Sequence, residues 1–310
     1  MSRIHEALKR ARQGQEPAPL VDLGGAPVSS GRNEVRSEAA SWLNANLSPV
    51  SAPTPVPTPQ SPISFGAGLT DLWDRCTKRT WKFDPAYSAF SGSNPSVEIA
   101  EQFRKLRSRL YEIRGSEPLQ KLLVTSTIPG EGKTFVALNL ALAIARQQGR
   151  RVLLVDADLR APKLASTLGA QNGPGLSEFL CGAADEAAII QTDPEGSLFL
   201  IPAGNMLSNP TELLGSERLQ WLFNRMSPHF DWVIVDAPPV LPVSDSGVLA
   251  GYCEGVMVVV RAGSTSYDAV GSALNELRTK KLLGVVLNRA EQSEIYEAYS
   301  YYAKEEALPA

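Results

Sequence analysis

Gly132, Lys133 and Thr134, followed by Asp156 and Asp158, are the residues of this sequence best suited to chemistry. They lie in TSTIPGEGKTFVALNLALAIARQQGRRVLLVDADLRAPKL. A loop rich in glycine that runs into a helix offers backbone N–H groups and the positive end of the helix dipole to a polyphosphate. Lys133 is placed to reach the β- and γ-phosphates of a nucleotide, and the Thr134 hydroxyl to ligate Mg²⁺. The loop residues Pro129, Gly130, Glu131 and Gly132, with Phe135 just beyond Thr134, complete the candidate nucleotide cradle. The strict pattern G-x-x-x-x-G-K-[ST] fails at its first position, which is Thr127. A third carboxylate, Asp236, ends the apolar run WVIVD. Mg²⁺ takes oxygen ligands, often one or two carboxylates with phosphate oxygens and water. Thr134, Asp158 and Asp236 are therefore the expected metal ligands. Asp156 is the expected group to orient the attacking hydroxyl or accept its proton. Lys133 is read as touching phosphate rather than core, so its loss should cost activity and leave stability little changed.

The elements that carry these residues are legible as an alternation. Apolar runs near 121–126, 152–156, 197–202, 232–236, 255–261 and 283–288 read as buried parallel strands. Helices are expected near 133–148, 216–227, 244–251 and 268–280. The fold class is thus α/β, a parallel-rich sheet covered by helices on both faces. In such sheets ligands collect beyond the carboxyl ends of the strands. The lysine loop, Asp156 with Asp158, and Asp236 all sit there. Asn288 ends the last strand and is either an adenine contact or a turn residue. Asn209–Pro210 could start a further helix.

Upstream, NPSVEIAEQFRKLRSRLYEIR is an amphipathic helix with Ile99, Phe103, Leu106 and Leu110 on one face. Glu101, Arg104 and Arg107 form a slanted stripe beside it. Residues 1–13 read as a short basic amphipathic helix, either a docking element or a frayed terminus. Residues 14–94 hold a Pro/Ser-rich linker and a poorly defined stretch whose Trp73, Trp81, Phe83, Tyr87 and Phe90 either pack on the domain or await a partner. The folded domain is expected over 95–290, and a polar tail over 291–310.

Composition excludes several classes. The chain has 310 residues and a net charge of −3, so there is no global basic field for nucleic acid. Three scattered cysteines, Cys76, Cys181 and Cys253, have no metal spacing and read as reduced thiols of a cytoplasmic protein. No run of eighteen apolar residues is present, and MSRIHEALKR lacks the core of a signal peptide.

Taken together, the motifs resemble those of the bacterial tyrosine autokinases, the BY-kinases of exopolysaccharide and capsule systems. IPGEGKT is similar to their phosphate loop, which commonly lacks the first glycine. Leu153 to Arg160 is similar to their D-x-D-x-R motif, and Val233 to Pro239 to their D-x-P-P motif. The stripe Glu101, Arg104 and Arg107 resembles their E-x-x-R-x-x-R subunit-contact motif. Tyr296, Tyr299, Tyr301 and Tyr302 resemble their terminal tyrosine cluster. SRIHEALKRA is similar to the N-terminal helix of members tied to exosortase-type systems. The resemblance implies ATP and Mg²⁺ as cofactors, Lys133, Asp156, Asp158 and Asp236 as catalytic residues, and autophosphorylation of the tail in trans within a homo-oligomer. It also implies recruitment to the inner face of the membrane by a separate polysaccharide co-polymerase or chain-length determinant. The eight residues from Asn288 to Tyr296 span at most roughly 26–29 Å, a reach that suits a neighbour's site better than a fold-back. Tail glutamates Glu294, Glu297, Glu305 and Glu306 argue for solvent exposure over an aromatic packing patch. One rival reading is a MinD/ParA-like positioning ATPase, but Ile128 stands where those proteins carry a second lysine. The other is a non-catalytic nucleotide-binding assembly regulator, against which every expected carboxylate is present.

Overall fold

A computed structural model describes residues 76–90, 97–207 and 209–290. The expected N-terminal helix, most of the linker, and the tyrosine tail lie outside the described residues.

Eight strands form one sheet in the order β1-β4-β5-β3-β6-β2-β7-β8. Six of them are the apolar runs expected from sequence: β2 (Lys121–Ser126), β3 (Val152–Asp156), β5 (Leu198–Ile201), β6 (Trp232–Asp236), β7 (Gly255–Arg261) and β8 (Leu282–Asn288). All pairings among these six are parallel. Two short strands, β1 (Thr77–Lys78) and β4 (Gln191–Thr192), extend one edge, with β4 antiparallel to β5. Two residues are too few for a hydrophobic period, which is why the sequence did not announce them.

Strand side chains alternate between two apolar layers, as the pleat requires. Leu122, Val124, Leu154 and Ile234 join α1 (Val97–Ser116) and α2 (Lys133–Ala145) on one face. Leu123, Leu153, Val155 and Val235 join α6 (Glu217–Met226) on the other. Helix α2 is buried along nearly its whole length because it lies between the sheet and α1, so it is apolar all round. Short helices α3 (Leu164–Leu168), α4 (Leu176–Leu180) and α5 (Pro210–Leu214) fill the crossovers. Pro210 does open a helix, its fixed φ suiting the first turn. Helices α7 (Asp245–Leu249) and α8 (Tyr267–Glu276) are shorter than their sequence patterns, α7 continuing as a 3₁₀ turn through Tyr252.

Two expectations need correction. Ile99 is 42 % exposed, while neighbouring Ala100 is buried in its place. Phe103 and Leu110 do face the core, and Leu106 is half-buried. The domain also begins before residue 95. Residues 76–90 run along the sheet edge and over α2, burying Trp81, Ala89 and Phe90. The strap is held by polar groups of the helix beneath it. Asn139, fully buried inside α2, accepts from the Ala89 N–H at 2.7 Å and donates to the Tyr87 carbonyl at 2.9 Å. Arg146 donates to the Phe90 carbonyl and lies over its ring. Asn139→Ala should therefore orphan a buried N–H and a carbonyl and cost about 2–3 kcal/mol. Urea unfolding measures this, and a loss under about 0.5 kcal/mol would show the strap to be dispensable.

Candidate active site

The lysine loop leaves β2 at Ser126 and re-enters regular structure at Lys133. Gly130 and Gly132 hold φ of 85° and 97°, the left-handed region that glycine adopts without steric cost. Thr127 is not among the residues at positive φ, so nothing in the backbone demands the glycine of the strict pattern there. A Cβ at Gly132 would also lie 2.1 Å from Asn288 Nδ2, so the Asn288 amide would have to shift to admit one.

Strand order brings the expected residues together. β2 lies next to β6, and β6 next to β3. Asp156 and Asp236 are register partners at the carboxyl ends of β3 and β6, and Val124 of β2 pairs with Asp236. Lys133 Nζ reaches across these ends, 2.7 Å from Asp158 Oδ2 and 3.4 Å from Asp236 Oδ1. The Thr134 hydroxyl donates to Asp236 Oδ2 at 2.7 Å. Lys133, Thr134, Asp158 and Asp236 thus form one polar cluster at the start of α2.

Asp156 lies deeper. Its oxygens accept from the N–H groups of Asp158, Lys163 and Leu164, holding the turn between β3 and α3. It is fully buried, so a substrate hydroxyl would reach it only after the neighbouring segment moved. Burial, with the charge of Asp236 beside it, pushes the Asp156 carboxyl up to about 8. Burial also raises Asp236, against the pull of Lys133. For Lys133, burial opposes the charge, but Asp236 and Asp158 outweigh it and hold the ammonium above the ordinary lysine range.

The remaining expected residues are spread around this cluster. The Phe135 ring packs edge-on against Phe103, 5.7 Å between centroids. The Asn288 amide donates to the Glu131 carbonyl at 2.8 Å, which makes it a support of the loop. On α1, Glu101 and Arg104 form an exposed pair at 2.9 Å. Arg107 turns inward instead and donates to the Ala143 carbonyl in the last turn of α2.

One pairing escaped the sequence reading. Arg160 of the D-x-D-x-R run makes a forked contact with Asp245, Nε at 2.8 Å and Nη2 at 3.1 Å, and Nη2 also meets Thr211. Asp245 is fully buried and starts α7. An aspartate at a helix start reads as a cap, so nothing local marks it as the partner of an arginine 85 positions away.

The donor set suits a nucleotide carrying a divalent cation. Thr134, Asp158 and Asp236 offer oxygen only, and Lys133 with the α2 N-terminus offers positive charge. Among the described residues no three His, Cys, Asp or Glu side chains converge on one metal position. A cation here would need phosphate oxygens and water to complete its shell.

Residues 122–309 match the family of the CobQ/CobB/MinD/ParA nucleotide binding domain. The tyrosine-protein kinase YwqD of Bacillus subtilis is 33% identical over 212 residues, 68% of this chain and 89% of YwqD. The chain belongs to the bacterial tyrosine-protein kinases. Among other kinases of this family, it is 33% identical over 215 residues to wzc of Salmonella typhimurium, matching 68% of this chain but only 30% of wzc. The solved kinase domain of the Escherichia coli tyrosine kinase ETK superposes with a TM-score of 0.62 at 32% identity, covering 69% of this chain and 85% of that one. Tyrosine-kinase kinship decides against the positioning ATPase and the inert regulator. Among the described residues no helix is long and apolar enough to cross a membrane.

Proposed function

We propose that this kinase uses ATP with Mg²⁺ to phosphorylate Tyr296, Tyr299, Tyr301 and Tyr302, the tail of one copy entering the site of another. The observation that carries the reading is the convergence of Lys133, Thr134, Asp158 and Asp236 at the start of α2. ATP–Mg²⁺, when bound, supplies the transferable γ-phosphoryl group and a cation to offset its charge. Lys133 exchanges part of its pairing with Asp158 and Asp236 for phosphate oxygens. That exchange gives the lysine two states, carboxylate-bound without nucleotide and phosphate-bound with it. Thr134, Asp158 and Asp236 hold the cation, directly or through water. Pro129 to Phe135 and Asn288 cradle the nucleotide. Asp156, next to the cluster, orients the attacking hydroxyl or accepts its proton once the segment that buries it moves. The exposed Glu101–Arg104 pair, with Arg107 anchoring the same helix, is the surface for a neighbouring copy.

The setting we infer is exopolysaccharide polymerisation and export at the cytoplasmic face of the membrane, with a membrane chain-length determinant as partner. Normal polymer length after loss of the protein would refute that setting.

The kinase reading is tested by incubating the full chain with ATP and Mg²⁺ and mapping phosphate by mass spectrometry. Phosphate is expected on the tail cluster and absent after all four tyrosines become phenylalanine. Transfer in trans is read by mixing that variant with a Lys133→Met chain. The Lys133→Met tail should then gain phosphate, and Arg104→Ala in both chains should weaken the effect. Phosphate confined to other tyrosines, or a Lys133→Met tail left bare in the mixture, would refute the proposal.

A further inference from the structure

Glu131 is an acidic residue inside a loop that the proposed function assigns to a polyphosphate. By charge alone it works against anion binding. It is also 1 % exposed, and its contacts explain what it does there. Oε2 accepts from the Ile128 N–H at 2.9 Å, closing the loop on itself. Oε1 accepts from the Thr265 hydroxyl and from the Arg261 N–H at 3.3 Å. The Glu131 carbonyl accepts from Asn288 Nδ2. One residue thus ties the loop to the end of β7, to the segment leading into α8, and to the end of β8.

We infer that Glu131 is a positioning residue that pre-shapes the phosphate loop and joins it to the β7 and β8 ends as one rigid unit. This rests on the nucleotide reading above and deepens it. A loop held in its binding shape before the ligand arrives loses less conformational freedom on binding. Lys133 and the loop N–H groups then meet the phosphates without rearrangement. Because the contribution is geometric, it should survive removal of the charge and fail on removal of the acceptors.

The chemistry of glutamine makes this testable. In Glu131→Gln the amide oxygen can still accept from Ile128, while the amide nitrogen donates to Thr265, whose hydroxyl reverses its role, and only the long bond from the Arg261 N–H is lost. Thr265→Val in that background leaves the amide nitrogen without an acceptor. The measurement is equilibrium binding of a fluorescent ATP analogue with Mg²⁺ to the full chain, with KM for ATP and kcat alongside. Glu131→Ala should weaken binding about tenfold, raise KM and leave kcat within about threefold. Glu131→Gln, which loses only the long Arg261 bond, should bind within about threefold of the unmodified chain. Glu131→Gln with Thr265→Val should fall about tenfold, while Thr265→Val alone changes binding by no more than about threefold. The double variant decides the matter if Glu131→Ala fails to fold. Unchanged or tighter binding in Glu131→Ala, or a double variant equal to Glu131→Gln, would overturn the positioning role alone. Failure of the unmodified chain to bind ATP would overturn this role and the nucleotide reading together.

Discussion

Lys133→Met is expected to lower tyrosine phosphorylation on the order of a thousandfold, the scale of losing a charge-stabilising group in a transfer site. It should also destabilise the nucleotide-free protein, which the sequence alone did not suggest. Lys133 is largely buried, its side chain 12 % exposed, and it is the cation paired with Asp158 and Asp236. Removing one partner of a buried pair leaves uncompensated charge, at a cost of about 2–4 kcal/mol. Asp236, whose carboxyl burial already raises, can escape part of that cost by taking up a proton. A carboxyl whose folded pKa lies above its unfolded value stabilises fully at low pH, and loses that contribution as pH rises through the folded value. The deficit of Lys133→Met should therefore be larger at about pH 9 than at about pH 6. Phosphotyrosine and thermal unfolding at both pH values check this. Persistent phosphorylation would remove Lys133 from the chemistry, and equal deficits at both pH values would remove the carboxylates from the stability argument.

Asp236→Asn should abolish phosphorylation to a similar degree and act on stability in the opposite direction. The amide oxygen can still accept from Thr134, and Lys133 keeps Asp158. What disappears is the negative charge beside Asp156, the second cause of its elevation after burial. In the unmodified protein Asp156 gives a stability contribution that is complete below about pH 4 and fades as pH rises through about 8. With Asp236 neutral, the Asp156 pKa falls back and that window narrows. The variant should be more stable than the unmodified protein above about pH 8, by on the order of 1 kcal/mol, and close to it at about pH 5. A stability loss that grows with pH would show that Asp236 serves mainly as the lysine's partner. The two substitutions thus separate the cluster's chemistry from its internal strain of like charges.

The amino-acid sequence by itself determined the six long strands, the longer helices between them and the edge where chemistry sits, but not the five-residue helices α3 and α4. Each buried parallel strand is a continuous apolar run; Asp156, Asp236 and Asn288 end such runs, Asp158 lies two residues on, and Lys133 lies one loop beyond. Local signals of that kind need no partner to be read. The sequence also marked Gly132 and Lys133, because a glycine-rich loop opening a helix with lysine is the pattern of a phosphate cradle. Only the tertiary structure decided which groups pair. Strand order placed Asp236 between the ends of β2 and β3, so that Lys133 spans two carboxylates and Asp156 lies beneath them. It turned Arg107 into α2 while leaving Arg104 exposed, although both lie on one helix stripe. It joined Arg160 to Asp245 and Glu131 to Thr265, and it drew residues 76–90 onto α2 through Asn139. These contacts link segments far apart in the chain, and their energies depend on burial. Composition and periodicity record neither quantity.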